Sequence, residues 1–89
     1  MTNGAVQSVS PVPGERELRM ILAIALQMPD PAALDADANL VLLGLSSLEI
    51  MRMVGHWNKA GIPADFEVLI DVPTLGAWVT YFTELESSR

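Results

Sequence analysis

The chain has 89 residues, no cysteine, one histidine, and eleven acids against five bases, for a net charge of −6. So short a chain makes one domain with one modest core, burying about 60–65% of its unfolded surface. Lack of cysteine excludes disulfides, thiolate metal sites and a Cys nucleophile, and His56 alone builds no multi-histidine metal site. The acidic balance argues against nucleic acid, which needs a Lys/Arg footprint, and favours partners with basic surfaces met through salt-sensitive attraction. The longest unbroken apolar run, residues 20–26, falls well short of the roughly 20 residues a membrane span needs. Residues 1–10 have neither a basic n-region nor an apolar h-region, so no signal peptide is expected, and a small soluble cytoplasmic domain is.

Residues 1–13 mix Asn, Gly, Ser and Gln with Pro11 and Pro13 and are expected to form a flexible arm. From Gly14 the spacing of Leu18, Ile21, Leu22, Ala25 and Leu26 predicts a helix, with Glu15 and Glu17 where the helix dipole favours acids. Pro29 and Pro31 should end it near Met28. The connection over 29–45 is long for a small domain, and its apolar end, Leu40-Val41-Leu42-Leu43, suggests that it is pinned onto the core. A second helix starts at a capping box, Ser46 as N-cap and Glu49 three residues on, with Leu45 and Ile50 at the positions of a hydrophobic staple. It should run to about Ala60 and stop at Gly61 before Pro63. Asp65 can cap a short helical turn over 66–70. Pro73 and Thr74 then open a last helix marked by Leu75, Trp78, Val79, Phe82 and Leu85. No segment alternates like a strand, so the fold class is all-α, with three main helices, one short helix and a long first loop.

The second helix carries the candidate chemistry. With Ser47 at the origin of a helical wheel, Ile50, Met53, Val54 and Trp57 form a core-facing stripe, and Glu49, Arg52, His56 and Lys59 fall on a solvated side. Leu48 and Met51 widen the apolar arc beside the Ser47 hydroxyl. They serve either a wider core contact or an exposed patch for a partner protein, a role that adaptable Met side chains suit. Ser47 likewise has two readings: a polar residue at the first helical position, or the point of attachment of a covalent group. A helix start suits a phosphate-bearing adduct. Ser47 is no catalytic nucleophile by itself, because His56 lies on the opposite side of the same helix. If Ser47 reacts, another enzyme must modify it. Asp35 and Asp37 have no further ligand at suitable spacing and read as solvated loop acids; no metal is expected.

Leu43-Gly44-Leu45-Ser46-Ser47-Leu48 resembles the L-G-x-D-S-L motif of phosphopantetheine-dependent carrier proteins. Met51 and Met53 with Trp57, then Asp65-Phe66, Leu69, Pro73-Thr74 and Trp78, are similar to the aryl carrier domains of siderophore-type nonribosomal peptide synthetases. The resemblance covers about residues 14–86 as the carrier domain, leaving 87–89 as a tail. It implies a four-helix carrier bundle, acting as a monomer, with 4′-phosphopantetheine from coenzyme A on Ser47. The bound arm would hold an aryl or aminoacyl thioester in a nonribosomal peptide or hybrid pathway, and the protein itself would catalyse nothing. Implied partners are a phosphopantetheinyl transferase, an adenylating ligase or adenylation domain, and condensation or other downstream domains. The candidate docking residues are Leu45, Ser46, Leu48 and Met51. An acyl carrier of a polyketide pathway and an unmodified helical interaction module are the alternatives. One departure stands out: the family's acidic residue before the modified serine is Ser46 here, which keeps the N-cap but removes a negative charge, leaving open which transferase accepts the protein.

Overall fold

The structure, a computed structural model, describes residues 12–87. Helix α1 spans Glu15–Ala25, a 3₁₀ turn Pro31–Ala33, α2 Ser47–Lys59, α3 Phe66–Asp71 and α4 Leu75–Ser87. No strand occurs among the described residues. The expected all-α bundle of three main helices, one short helix and a long first loop is what forms. Most of the predicted arm, 1–11, lies outside the described residues. Its last two positions, Val12 and Pro13, are buried, Val12 within the core, so packing begins two residues ahead of the expected boundary.

Packing joins α1 to α4 and α2 to α3 around one core. Leu18 and Leu22 of α1, Ile50 and Trp57 of α2, Leu69 of α3, and Leu75, Trp78 and Phe82 of α4 supply its centre. The Trp57 ring meets Phe82 edge-on at 4.8 Å between centroids and Trp78 at 6.4 Å, the geometry that aromatic quadrupoles favour. Trp57, Trp78 and Phe82 are therefore core.

Two helices and one isolated turn end in the same way. The amide two residues past the last turn bonds back to the carbonyl five positions earlier, and the preceding residue takes a left-handed conformation. In α2 this residue is Gly61, at φ 92°, with Ile62 N–H donating to Trp57 O at 2.8 Å, as the Gly61 stop predicts. In α1 it is Gln27, at φ 58°, with Met28 N–H donating to Ala23 O at 2.8 Å. Helix α1 thus stops at Ala25 rather than near Met28, because Gln27 reverses the chain before the prolines are reached. A residue with a Cβ carries a penalty of about 1 kcal/mol in that conformation. Gln27→Gly should raise unfolding stability by about that amount, measured by urea titration. A loss of stability would show that the Gln27 side chain contributes more than its backbone costs.

The long connection is bound down at both ends. Arg19 of α1 donates through Nη1 to the carbonyls of Pro31, at 3.2 Å, and Leu34, while its Nη2 pairs with Glu15 at 3.1 Å. Farther on, Gly76 N–H donates to Ala36 O at 3.0 Å and Leu40 N–H to Pro73 O at 2.7 Å. These bonds hold the loop against α1 and the start of α4.

Candidate functional site

The segment leading into α2 is built around a single hydrogen-bonded turn. Asn39 Oδ1 accepts from the amides of Val41 and Leu42 at 2.9 and 3.0 Å, which starts the turn. Gly44, at φ 118°, ends it, with Leu45 N–H donating to Leu40 O at 2.9 Å and Gly44 N–H to Val41 O at 3.0 Å. That pair of bonds is a complete Schellman ending, which brings its first and last residues together on the apolar side. Leu40 and Leu45 are accordingly buried, and the four residues between them are turned outward. Leu42 is 85% exposed, and Val41 and Leu43 are exposed as well.

The predicted start of α2 holds in full. Glu49 N–H donates to Ser46 Oγ at 3.1 Å, and Ser46 N–H donates to Glu49 Oε1 at 3.0 Å. Leu45 and Ile50, the staple pair, are both buried beneath this cap. Ser46 Oγ is committed to the helix. Ser47, at the first helical position, is exposed, and among the described residues no hydrogen bond engages its Oγ. The Ser47 and Leu48 amides come before Ile50, the first amide to donate within the helix, so they too are available. Two adjacent serines thus have opposite situations: one hydroxyl caps, the other projects into solvent at the positive end of a helix.

Leu48 and Met51 are 57% and 54% exposed, which excludes the wider core contact and leaves the surface patch. Leu45 requires a correction. As a docking candidate it should be accessible, but it is 1% exposed, because the staple and the turn ending both draw it inward. Leu42 and Leu43 take its place on the surface. The sequence signal for them is the bracket formed by Asn39 and Gly44, which marks a closed turn rather than an apolar strand of chain pinned throughout. An exposed apolar patch therefore adjoins Ser47 from two sides, the loop turn before it and the first turns of α2 after it.

The remaining candidates fall outside this site. His56 is exposed on another face of α2, and Asp35 Oδ1 accepts from Asp37 N–H at 2.8 Å in an exposed loop turn. No group of three or more metal-binding side chains occurs among the described residues, and none of their helices is long and apolar enough to cross a membrane.

Comparison with known proteins agrees with this geometry. A family model described as "Phosphopantetheine attachment site" matches residues 16–82. The chain is 39% identical over 54 residues to phenyloxazoline synthase MbtB of Mycolicibacterium paratuberculosis, covering 61% of this chain and 5% of that protein. It is 48% identical over 46 residues to the protein of the same name from Mycobacterium tuberculosis, covering 52% of this chain and 3% of that one. Against pseudomonine synthase PmsE of Pseudomonas entomophila it is 39% identical over 49 residues, covering 55% and 8%. The chain thus corresponds to a small part of each relative. No solved structure matches it significantly.

Proposed function

We propose a covalent role for Ser47, from the premise that the chain belongs to the phosphopantetheine attachment-site family. That family is defined by 4′-phosphopantetheine held covalently. The observation that carries the assignment is the exposed Ser47 hydroxyl, unengaged at a helix start, next to a Ser46 hydroxyl already used as a cap. Attachment is a phosphoryl transfer from coenzyme A. Ser47 Oγ forms a bond to the phosphorus nearer the pantetheine, the pyrophosphate P–O bond breaks, adenosine 3′,5′-bisphosphate leaves, and the hydroxyl proton passes to the transferase or to water. When attached, the group supplies a thiol that holds an acyl load as a thioester. The chain's own contribution is positional: the Ser47 and Leu48 amides and the α2 dipole favour the phosphodiester anion.

The reading continues to a carrier of aryl or aminoacyl groups in nonribosomal peptide assembly. Of the relatives' names, phenyloxazoline denotes a product with an aromatic ring, which supports an aryl load over an aliphatic one. Partners would be a phosphopantetheinyl transferase, an adenylating enzyme and downstream synthetase domains. Leu48 and Met51, joined by Leu42 and Leu43, would dock each of them in turn through a small, transient contact. Ser46 takes part there through its position beside the attachment point rather than through charge.

Intact-mass measurement after incubation with coenzyme A and a broad-specificity transferase tests the assignment; a single phosphopantetheinyl gain is expected, and none would leave an unmodified interaction module. Adenylating ligases offered with a panel of acids should then load aryl or aminoacyl groups. Loading of malonyl or other acyl groups alone would make the protein a polyketide-type carrier. Met51→Glu should slow loading about tenfold, the effect of setting an unpaired charge in a contact, while leaving the helical circular-dichroism spectrum unchanged. Unaltered kinetics would remove Met51 from the docking surface.

A further inference from the structure

A groove runs along the side of α2 away from Ser47. Its apolar half is a hollow lined by Ile21 of α1 with Met53, His56 and Trp57 of α2. It adjoins a second, open hollow lined by Arg52, Gly55, His56 and Lys59, so that His56 belongs to both. On the α1 side, Ile24, one helical turn beyond Ile21, is 76% exposed. Gly55 lies in the middle of the basic half, facing open space: a Cβ there would meet nothing within 4 Å.

The charge of this groove opposes that of the molecule. Of eleven acids in the chain only Glu49 lies on α2, and its Oε1 is committed to the Ser46 cap. Among the described residues the sole ion pair is Arg19–Glu15, so Arg52 and Lys59 have no carboxylate at ion-pair distance. Two unneutralised bases with His56 between them thus form one wall, and Ile21, Met53 and the edge of Trp57 form the apolar part. Two fixed positive charges in a chain of net charge −6 are far too few for a nucleic acid. They do suit a few carboxylates presented by a folded or folding protein segment.

We propose that this groove docks an acidic amphipathic helix of a partner protein. The apolar side of that helix enters the hollow beside Ile21 and Met53, and its carboxylates lie along Arg52, His56 and Lys59. His56, which both hollows share, lies on the opposite side of α2 from Ser47, so a partner centred here leaves Ser47 within reach of other enzymes. The inference goes beyond the carrier reading and does not depend on modification of Ser47.

NMR titration of the full chain tests it, with a synthetic helical peptide as probe: Leu at i, i+3, i+4 and i+7, flanked by Glu. Saturable shifts are expected at the amides of Ile21, Ile24, Gly55 and His56. The combined variant Arg52→Glu, Lys59→Glu should weaken binding about tenfold, and the same peptide with Lys in place of Glu should not bind. Ile24, Arg52, Gly55, His56 and Lys59 are exposed and Ile21 is half-buried, and circular dichroism verifies that the variant folds. Absence of saturable shifts, equal binding of the Lys peptide, or shifts centred on Leu48 and Met51 would overturn the proposal. So would concentration-dependent shifts of the same amides without peptide, which would make a second copy of the chain the occupant. The mass-gain experiment reads a separate property, so either conclusion can fail without the other.

Discussion

Ser47→Ala should abolish the mass gain with coenzyme A and a transferase, while Ser46→Ala should retain it and lose about 1 kcal/mol of stability. The two serines differ by one position and have the same side chain, so the contrast isolates geometry. Ser46 Oγ accepts from Glu49 N–H at 3.1 Å, and removing it leaves that amide without its cap and Glu49 Oε1 with only the Ser46 backbone amide. Ser47 Oγ has no such bond among the described residues, so its loss leaves the helix start intact and takes away only the nucleophile. Intact mass reads the first effect and urea unfolding the second. A gain retained in Ser47→Ala, or abolished in a folded Ser46→Ala, would transfer the attachment point to Ser46. The substitution of Ser for the family's acid is then a change in charge alone: the reciprocal cap with Glu49 is complete without it.

The start of α2 was legible because each of its signals is local. Ser46, Glu49, Leu45 and Ile50 lie within six positions, and their hydrogen-bond and apolar pairings require nothing from the rest of the fold. The end of α1 was not, because Gln27 occupies a left-handed position that sequence reasoning reserves for Gly or Asn. Leu45 shows a different failure. Its place in the sequence suits both a staple and a docking role, and these exclude each other, since a staple residue must be covered; the structure keeps the first. The run Leu40-Val41-Leu42-Leu43 divides for the same kind of reason. A closed turn buries its ends and exposes its middle, so counting apolar residues could not tell Leu40 from Leu42, whereas the Asn39–Gly44 bracket could. The groove between α1 and α2 depends on which side chains two separate helices bring together, and no single-helix wheel contains that.

Trp78→Ala should cost about 3–5 kcal/mol, most of the stability that a domain this small possesses. Trp78 is 1% exposed and stands between α2 and α3, edge-on to Trp57. Its Nε1–H donates to Leu69 O at 2.9 Å in a buried position. That bond has a reason in the sequence: the residue four beyond Leu69 is Pro73, which has no N–H, so the helical partner of the Leu69 carbonyl does not exist. The indole supplies the missing donor. Trp78→Phe, which keeps most of the ring and loses the donor, should therefore still cost about 1–3 kcal/mol. Urea unfolding followed by circular dichroism ranks the three proteins. A Phe variant within about 0.5 kcal/mol of the parent would mean that water replaces the indole and that the bond is dispensable. The consequence reaches Ser47 through the backbone. Pro73 O accepts from Leu40 N–H at 2.7 Å, and Leu40 is the buried end of the turn that leads into α2. A loosened junction between α3 and α4 frees that turn, so the Phe variant should also be modified more slowly at Ser47 than its remaining helicity would suggest.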